Sequence, residues 1–388
     1  MEVKEGYKQT EVGVIPEDWV VKELDVIGSF KKGKGIRKDE VVSDGIPCVR
    51  YGELYTLHHE YIKGFSSFIS SESAKKSQKL NKGDLLFAGS GETKEEIGKC
   101  AAFLDDREAY AGGDVIILSP RKTNPLLLGF ILNHELVVRQ KAQLAQGDAI
   151  VHIYPNNLSR ISVPLPPTKA EQTAIAAALS DADALIQSLE KLIAKKRSIK
   201  QGAMQELLKP KEGWVVEKLG EIAARITTGK LDANAMVENG EYRFYTCAKE
   251  FYHIDHFAFN TEALLVSGNG ANVGYIHYYK GKFNAYQRTY ILTDFSKDIF
   301  YVKLYMDSYL KNRIVAEVNA GNTPYIKMDT LTEMVIHIPK EKSEQIRIAA
   351  ILSDMDAEIA ALEAKLAKYK QIKQGMMQEL LTGRIRLV

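Results

Sequence analysis

EQTAIAAALSDADALIQSLEKLIAKKRSIKQGAMQELL at residues 171–208 and EQIRIAAILSDMDAEIAALEAKLAKYKQIKQGMMQELL at residues 344–381 are two copies of one sequence, identical at 24 of 38 positions with a constant offset of 173. Both copies are helical by period. In the first, Ile175, Leu179, Ala182, Ile186, Leu189 and Ile193 alternate spacings of four and three, and Ile348, Leu352, Met355, Ile359, Leu362 and Leu366 repeat the pattern in the second. That is an a/d seam, which wants a partner helix. At ~1.5 Å per residue each helix is about 57 Å long, too long for a core helix of one small domain. The other copy is the expected partner. Since the first helix carries the chain away and the second must carry it back, the pair is expected to be antiparallel, with a globular segment at each end of a rod.

The 388 residues, 45% hydrophobic and 26% charged, suit a folded protein of two or three domains. No apolar leader precedes Trp19, and the longest apolar run, Leu126 to Leu132, is far short of a membrane span. A cytoplasmic location is expected. Cys48, Cys100 and Cys247 are too few and too scattered for a disulfide framework or a paired-cysteine zinc site. A net charge of +2 is too small to attract nucleic acid by bulk field. Any DNA-binding charge must therefore be local.

The two remaining segments also correspond. PEDWVVKEL (Pro16 to Leu24) matches KEGWVVEKL (Lys211 to Leu219), with Trp19 aligned on Trp214. A short helix is expected next in each, Lys22 to Ser29 and Val216 to Ala224. Strand-like runs follow, IPCVRYGEL (46–54) against YRFYTCAKE (242–250), and DLLFAGSG (84–91) against ALLVSGNG (263–270). A closing helix is expected over Pro125 to Gln146 and Ile299 to Ala320, stopped by Gly147 and Gly321 as C-caps. Short strands ISVPLPP (161–167) and MVIHIP (334–339) lead into the long helices. Thr168 and Glu171 form a capping box at the first. Glu341 replaces Thr168 in the second copy, so its cap must differ.

The motifs for catalysis are missing from the sequence. Gly89-Ser90-Gly91 and Gly268-Asn269-Gly270 follow strands but lack the Gly-Lys-Ser/Thr ending of a phosphate loop. There is no Asn-Pro-Pro run of the amino-methyltransferase kind, and the eight histidines contain no i, i+4 metal pair. No catalytic residue, metal or cofactor is expected. DNA binding fares better, because cations and polar side chains cluster in the Gly-punctuated loops among many tyrosines. In the first segment these are Lys31, Lys32, Lys34, Arg37, Arg50, Ser90 and Lys94. In the second they are Thr227, Thr228, Lys230, Lys249, Asn269, Asn272, Arg288, Tyr325 and Lys327. Such side chains supply phosphate partners and base-edge donors. The competing explanation is that the tyrosines fill sheet faces and the lysines are solvated. The helical run Lys191, Lys195, Lys196, Arg197 and Lys200, with Lys365, Lys368, Lys370 and Lys373, is by default a solvated coiled-coil face.

The opening YKQTEVGVIPEDW, the lead-ins PLPPTKAEQTAI and HIPKEKSEQIRI, the exits QGAMQELL and QGMMQELL, and the end LLTGRIRL resemble the specificity subunit of type I restriction-modification enzymes. YRFYTCAKE, SGNGANVGYIHYYKGKF and QRTYIL also look like target-recognition sequence of that family. One departure is Lys340, where the first copy has Pro167. The implied fold is α+β: two pseudo-two-fold related α/β target-recognition domains separated by two long antiparallel coiled-coil helices. The implied spans are 1–168 and 210–341 for the two domains, 169–209 for the first helix, and 342–388 for the second helix and tail.

The resemblance implies a non-catalytic subunit reading a bipartite, asymmetric site in double-stranded DNA. The implied partners are two methyltransferase subunits, adenine-N6 enzymes using S-adenosylmethionine, and restriction subunits that translocate DNA with ATP. No membrane is involved. Gln172, Ile175, Leu179, Gly202, Gln345, Ile348, Leu352 and Gly375 are the expected subunit-interface residues. Gly202 opposite Ser353, and Gly375 opposite Ser180, suggest close helix approach. Two rivals stay open at this point: a protein-binding adaptor without DNA recognition, and a nuclease or methyltransferase with an unrecognised motif.

Overall fold

The computed structural model describes residues 4–317 and 325–387. The chain forms two compact units, Met1–Glu190 with Lys365–Val388, and Lys191–Ala364. Both long helices are present as single elements, Lys169–Leu207 and Lys342–Leu380, so each unit contains part of both.

Within each unit the two helices run antiparallel. In the first, Lys370 reaches Glu190 at 2.7 Å and Lys373 reaches Asp183 at 2.7 Å, while Leu380 and Leu381 share a core with Ile175 and Leu179. In the second, Lys196 pairs with Glu358 at 2.6 Å and Lys200 with Asp356 at 2.5 Å, and Leu208 shares a core with Ile348 and Leu352. Much of the basic run is thus neutralised across the helix pair.

The sheets of the two units follow one order. In the second unit it is Ala223–Thr228, Thr289–Phe295, Phe259–Ser267, Ile276–Ala285, Tyr242–Tyr245, Tyr252–Ile254, with only the pairing of Tyr242–Tyr245 to Ile276–Ala285 parallel. In the first unit the two long central strands are interrupted. Gln78–Lys79 and Leu85–Ala88 stand for Phe259–Ser267, while Cys100–Ala102 and Tyr110–Ala111 stand for Ile276–Ala285. One sheet becomes two, of four and five strands. The first break is a turn in which the buried Asp84 accepts from Asn81 N at 2.8 Å and from Ser119 Oγ at 2.6 Å.

Leu85–Ala88 and residues 263–266 are buried on both faces, which is why they read as continuous apolar runs rather than alternating ones. Leu85 and Phe87 face the helical side and Leu86 and Ala88 the other; Leu264 and Val266 are likewise divided from Ala263 and Leu265.

Several local expectations change. The short helices are shorter than expected: Val20–Glu23 and Val215–Lys218 are strands, paired with Ser162–Leu165 and Val335–Ile338, and only Leu24–Ile27 and Leu219–Ile222 are helical. The adjacent valines, Val20-Val21 and Val215-Val216, are β-branched residues that favour this strand pairing. Residues 46–54 split into a strand, Ile46–Val49, and the start of a helix, Tyr51–Thr56. The closing helix of the first unit is broken into Pro125–Leu132 and Glu135–Leu144. Asn133 causes the break: its side chain donates to Cys100 O at 2.6 Å and accepts from Cys100 N at 3.0 Å, completing the edge of the sheet.

Gly147 does not cap that helix, whose C-cap is Ala145; it turns the chain at φ 97° inside the loop closed by the bridge between Gln146 and His152. The second closing helix is Ile299–Glu317, and the expected end at Ala320 and Gly321 lies outside the described residues. Thr168 Oγ1 accepts from Glu171 N at 3.1 Å, giving half of the capping box. The Glu171 carboxylate turns instead to Arg386, which also binds Asp18 at 2.9 Å and lies over the Trp19 ring.

The expected subunit-interface residues are mostly core. Ile175, Leu179, Ile348 and Leu352 are fully buried within their own units. Gln172 and Gln345 are buried staples: each donates its amide to the proline carbonyl before its helix (Pro166 at 3.0 Å, Pro339 at 2.8 Å). Each also accepts from a backbone N–H near the closing helix, Asn124 at 3.1 Å and Asp298 at 2.9 Å. Buried groups satisfied inside the chain offer nothing to a second subunit. Close helix approach does not explain the glycines either, because a Cβ on Gly202 or Gly375 would meet nothing within 4 Å.

Candidate nucleic-acid interface

Polar side chains gather at one end of the sheet in each unit, where a Gly-X-Gly turn follows the central strand. In the second unit Gly268 O accepts from Ile326 N at 2.8 Å, and Asn269 is bridged to Tyr325. In the first, Gly89 O accepts from Ile153 N at 3.0 Å, and Ser90 pairs with His152. The matched segments HIYPNNL (152–158) and YIKMDTL (325–331) keep the offset of 173. The same connection is therefore built twice with different side chains at its rim: His152 and Tyr154 in one unit, Tyr325 and Lys327 in the other.

In the second unit this end opens into a cleft of about 330 Å³ lined by Thr228, Gly268, Gln287, Arg288, Tyr290, Tyr325 and Ile326. Thr228 is brought there by strand pairing with Tyr290. Tyr290 donates to Ile326 O at 2.8 Å, and burial raises its pKa, so the phenol stays a donor. Asn272 joins the same neighbourhood through Cys247: its Nδ2 donates to Cys247 O at 3.2 Å, and Cys247 Sγ lies 3.5 Å from Arg288 O.

Three expected residues, Thr228, Arg288 and Tyr325, thus share one cleft, with Asn269 and Asn272 connected to it. Lys230, Lys249 and Lys327 are exposed, and Thr227, one residue before Thr228, points to the opposite face of its strand. Gln287 was missed, because its place at the cleft is set by the turn and not by any motif.

In the first unit Lys31 and Lys32 are exposed on the strand Gly28–Lys32, and Lys32 lies 5.7 Å from the centre of the Tyr154 ring. Lys34 and Arg37 are exposed beyond it, and Lys94 is exposed in the loop after Gly91, 3.9 Å from Asp148. Two expected residues do not belong to this group. Ser90 is buried, with its hydroxyl 3.0 Å from His152 Nδ1. Arg50 is only half exposed and begins the helix Tyr51–Thr56, its backbone N–H donating to Glu53. His152 and Tyr154 were missed, although the offset that identifies the long helices extends through them.

Among the described residues no group of three or more His, Cys, Asp or Glu could hold a metal ion, and no helix is long and apolar enough to cross a membrane. The arrangement offers hydrogen-bond donors and cations on rigid turns, which suits phosphate and base-edge contacts.

A family model described as the type I restriction modification DNA specificity domain matches residues 16–199 and again 211–374. The specificity subunit of the Escherichia coli type I restriction enzyme EcoDI is 36% identical over 170 residues, 44% of this chain and 37% of that protein. The match thus spans well under half of that relative's length. The MjaVIII specificity subunit of Methanocaldococcus jannaschii is 24% identical over 432 residues, covering 99% of this chain and 97% of the relative. A crystal structure of a type I restriction-modification S subunit from M. genitalium superposes with a TM-score of 0.67 at 16% identity, covering 98% of each chain, a likeness of fold alone.

Proposed function

The chain belongs to the family of the type I restriction modification DNA specificity domain, and on that footing we propose that it reads a bipartite, asymmetric site in duplex DNA without itself acting chemically on it. Each unit takes one half-site. In this reading residues 1–168 and 210–341 are the two target-recognition domains, 169–209 is the first helix, and 342–388 is the second helix with its tail. The exposed surface of the helices docks two methyltransferase subunits, and restriction subunits join through them. Gly202 and Gly375, open beyond 4 Å in both copies, mark that surface.

One observation carries the reading. The bond from Ile153 N to Gly89 O is repeated by that from Ile326 N to Gly268 O, so two sites of the same build carry different rims. A repeated frame with divergent contact residues is what two unlike half-sites require. The named DNA contacts are Lys31, Lys32, Lys34, Arg37 and Lys94 in one unit, and Thr228, Lys230, Lys249, Asn269, Arg288, Tyr325 and Lys327 in the other.

The test is binding of the full chain to duplex DNA at several salt concentrations. Neutralising several phosphates makes the logarithm of affinity fall steeply and linearly with that of salt. Retention that is absent, or indifferent to salt, would favour a protein adaptor. Exchanging residues 214–338 for those of a relative should then change one half of the mapped site and leave the other.

A further inference from the structure

The turn between Ile276–Ala285 and Thr289–Phe295 is pinned by its backbone on several sides. Tyr286 N donates to Tyr245 O at 2.9 Å, Gln287 N to Leu231 O at 2.8 Å, and Thr289 N to Tyr286 O at 2.8 Å. Arg288 O accepts from Gly268 N at 2.9 Å, and a Cβ on Gly268 would stand 2.3 Å from that same oxygen. Glycine is therefore required for the approach.

Two exposed side chains leave this fixed frame at the mouth of the cleft, Gln287 and Arg288. Gln287 Nε2 donates to Asp232 at 2.8 Å, which orients the amide and leaves its second proton and Oε1 unengaged. Arg288 has no side-chain hydrogen bond or ion pair among the described residues. Some cations of this unit do, among them Lys218 with Glu333, Lys297 with Glu217, and Lys303 with Asp307; what sets Arg288 apart from the exposed lysines is its planar fork on the pinned turn. An uncompensated guanidinium on a rigid turn is a fork held ready for a planar acceptor pair.

We propose that Arg288 reads a guanine of the second half-site through O6 and N7 in the major groove, with Gln287 beside it facing the neighbouring base pair. The proposal rests on the reading of this unit as a DNA-recognition domain. Guanine presents two acceptors in the spacing of the guanidinium fork, and Arg on guanine and Gln on adenine are the pairings that geometry favours. Phosphate contacts fall to the exposed Lys230, Lys249 and Lys327, which lie off the turn. In the first unit the corresponding turn before Val115–Pro120 presents Gly113 and Asp114, an acceptor and no cation. Its half-site therefore need not contain guanine at the matching position.

The experiment maps methylated sites in cells carrying the complete system with the wild-type chain, Arg288→Ala or Arg288→Lys. Binding of the purified complexes to the mapped site, and to duplexes changed at single positions, accompanies the map. For Arg288→Ala, one guanine in one half of the site should cease to be required. Affinity for the intact site should fall about tenfold to a hundredfold, with little change on the duplex already lacking that guanine. An unchanged motif would overturn the proposal. So would an equal loss on every duplex with a shallower salt dependence, the mark of a phosphate contact. A wild-type chain that directs no two-part site would instead sink the parent reading. Since Arg288 is exposed, neither variant threatens the fold.

Discussion

Lys373 stands 2.7 Å from Asp183 on the neighbouring helix. Both residues recur at the repeat offset as Lys200 and Asp356, 2.5 Å apart in the other unit. The two ion pairs are reciprocal but not equivalent in setting. Lys373 also reaches Glu60 at 2.9 Å, and these three side chains are 14%, 6% and 12% exposed, whereas Lys200 is 21% and Asp356 53% exposed.

Lys373→Met strands two buried carboxylates and should destabilise the first unit by about 3–5 kcal/mol. Lys200→Met, on a pair open to solvent, should cost under about 1 kcal/mol. Burial works against the Glu60 carboxylate, yet the Lys373 charge outweighs it and holds the pKa below the usual range; Lys373 is raised for the reciprocal reason. The Glu60 contribution is lost as pH falls through its lowered value, and that of Lys373 as pH rises through its raised one. The cost of Lys373→Met should therefore be level between about pH 5 and 10 and shrink outside that window. Urea denaturation of both variants across pH tests this; equal costs at neutral pH would refute it.

The open glycines give the opposite sign. A glycine inside a helix is ~1 kcal/mol worse than alanine when nothing else constrains it, and a Cβ at Gly202 or Gly375 meets nothing within 4 Å. Gly202→Ala and Gly375→Ala should each raise the melting temperature of the isolated chain by a few degrees. A lower melting temperature in either would mean a packing contact across the helix pair after all.

Gln172 and Gln345 each hold two buried backbone groups with one side-chain amide. Alanine in either place orphans a proline carbonyl and an N–H, at about 1–3 kcal/mol per group. Each substitution should cost about 2–6 kcal/mol, and glutamate should not rescue, since it lacks the donor that Pro166 O or Pro339 O requires. Chemical denaturation decides; wild-type stability in Gln345→Ala would remove the staple from the account.

How much of this was legible varies with the range of the interaction. The long helices were, because Ile175, Leu179 and Ile186 repeat at a helical period and the period itself is repeated. The central strands were, because Leu85 to Ala88 and Ala263 to Val266 are buried on both faces. The break at Asn133 was not, since nothing local distinguishes it; its cause is the backbone of Cys100. Gln172 and Gln345 looked like surface residues of a docking helix, because their partners are distant in sequence. At the candidate site Arg288 and Tyr325 were visible as residue types. Gln287 was not, because only the bonds from the turn to Leu231 and Tyr245 decide which side chains stand at the cleft.

The loop after Gly91 that carries Lys94 ends at Gly98, whose carbonyl accepts from Lys141 Nζ at 2.7 Å. Lys141 is 1% exposed, and burial lowers its pKa from 10.5 to about 8. A lysine depressed on folding binds fewer protons in the native state than in the unfolded chain between those two values. Stability therefore rises with pH across that window, as the cost of a buried ammonium, on the order of 3 kcal/mol, is relieved. Lys141→Met keeps the length of the side chain and removes the charge, but leaves Gly98 O without a donor, at about 1–3 kcal/mol. Near pH 7 the two effects nearly cancel. Near pH 9.5 the wild-type chain is largely relieved of its charge while the variant keeps its orphaned carbonyl. Relative to wild type, the variant should thus become less stable as pH is raised from 7 to 9.5, by about 1–3 kcal/mol. Parallel melting curves across that range would show that Lys141 does not change its protonation there, and that the Gly98 carbonyl is held by a permanent ammonium.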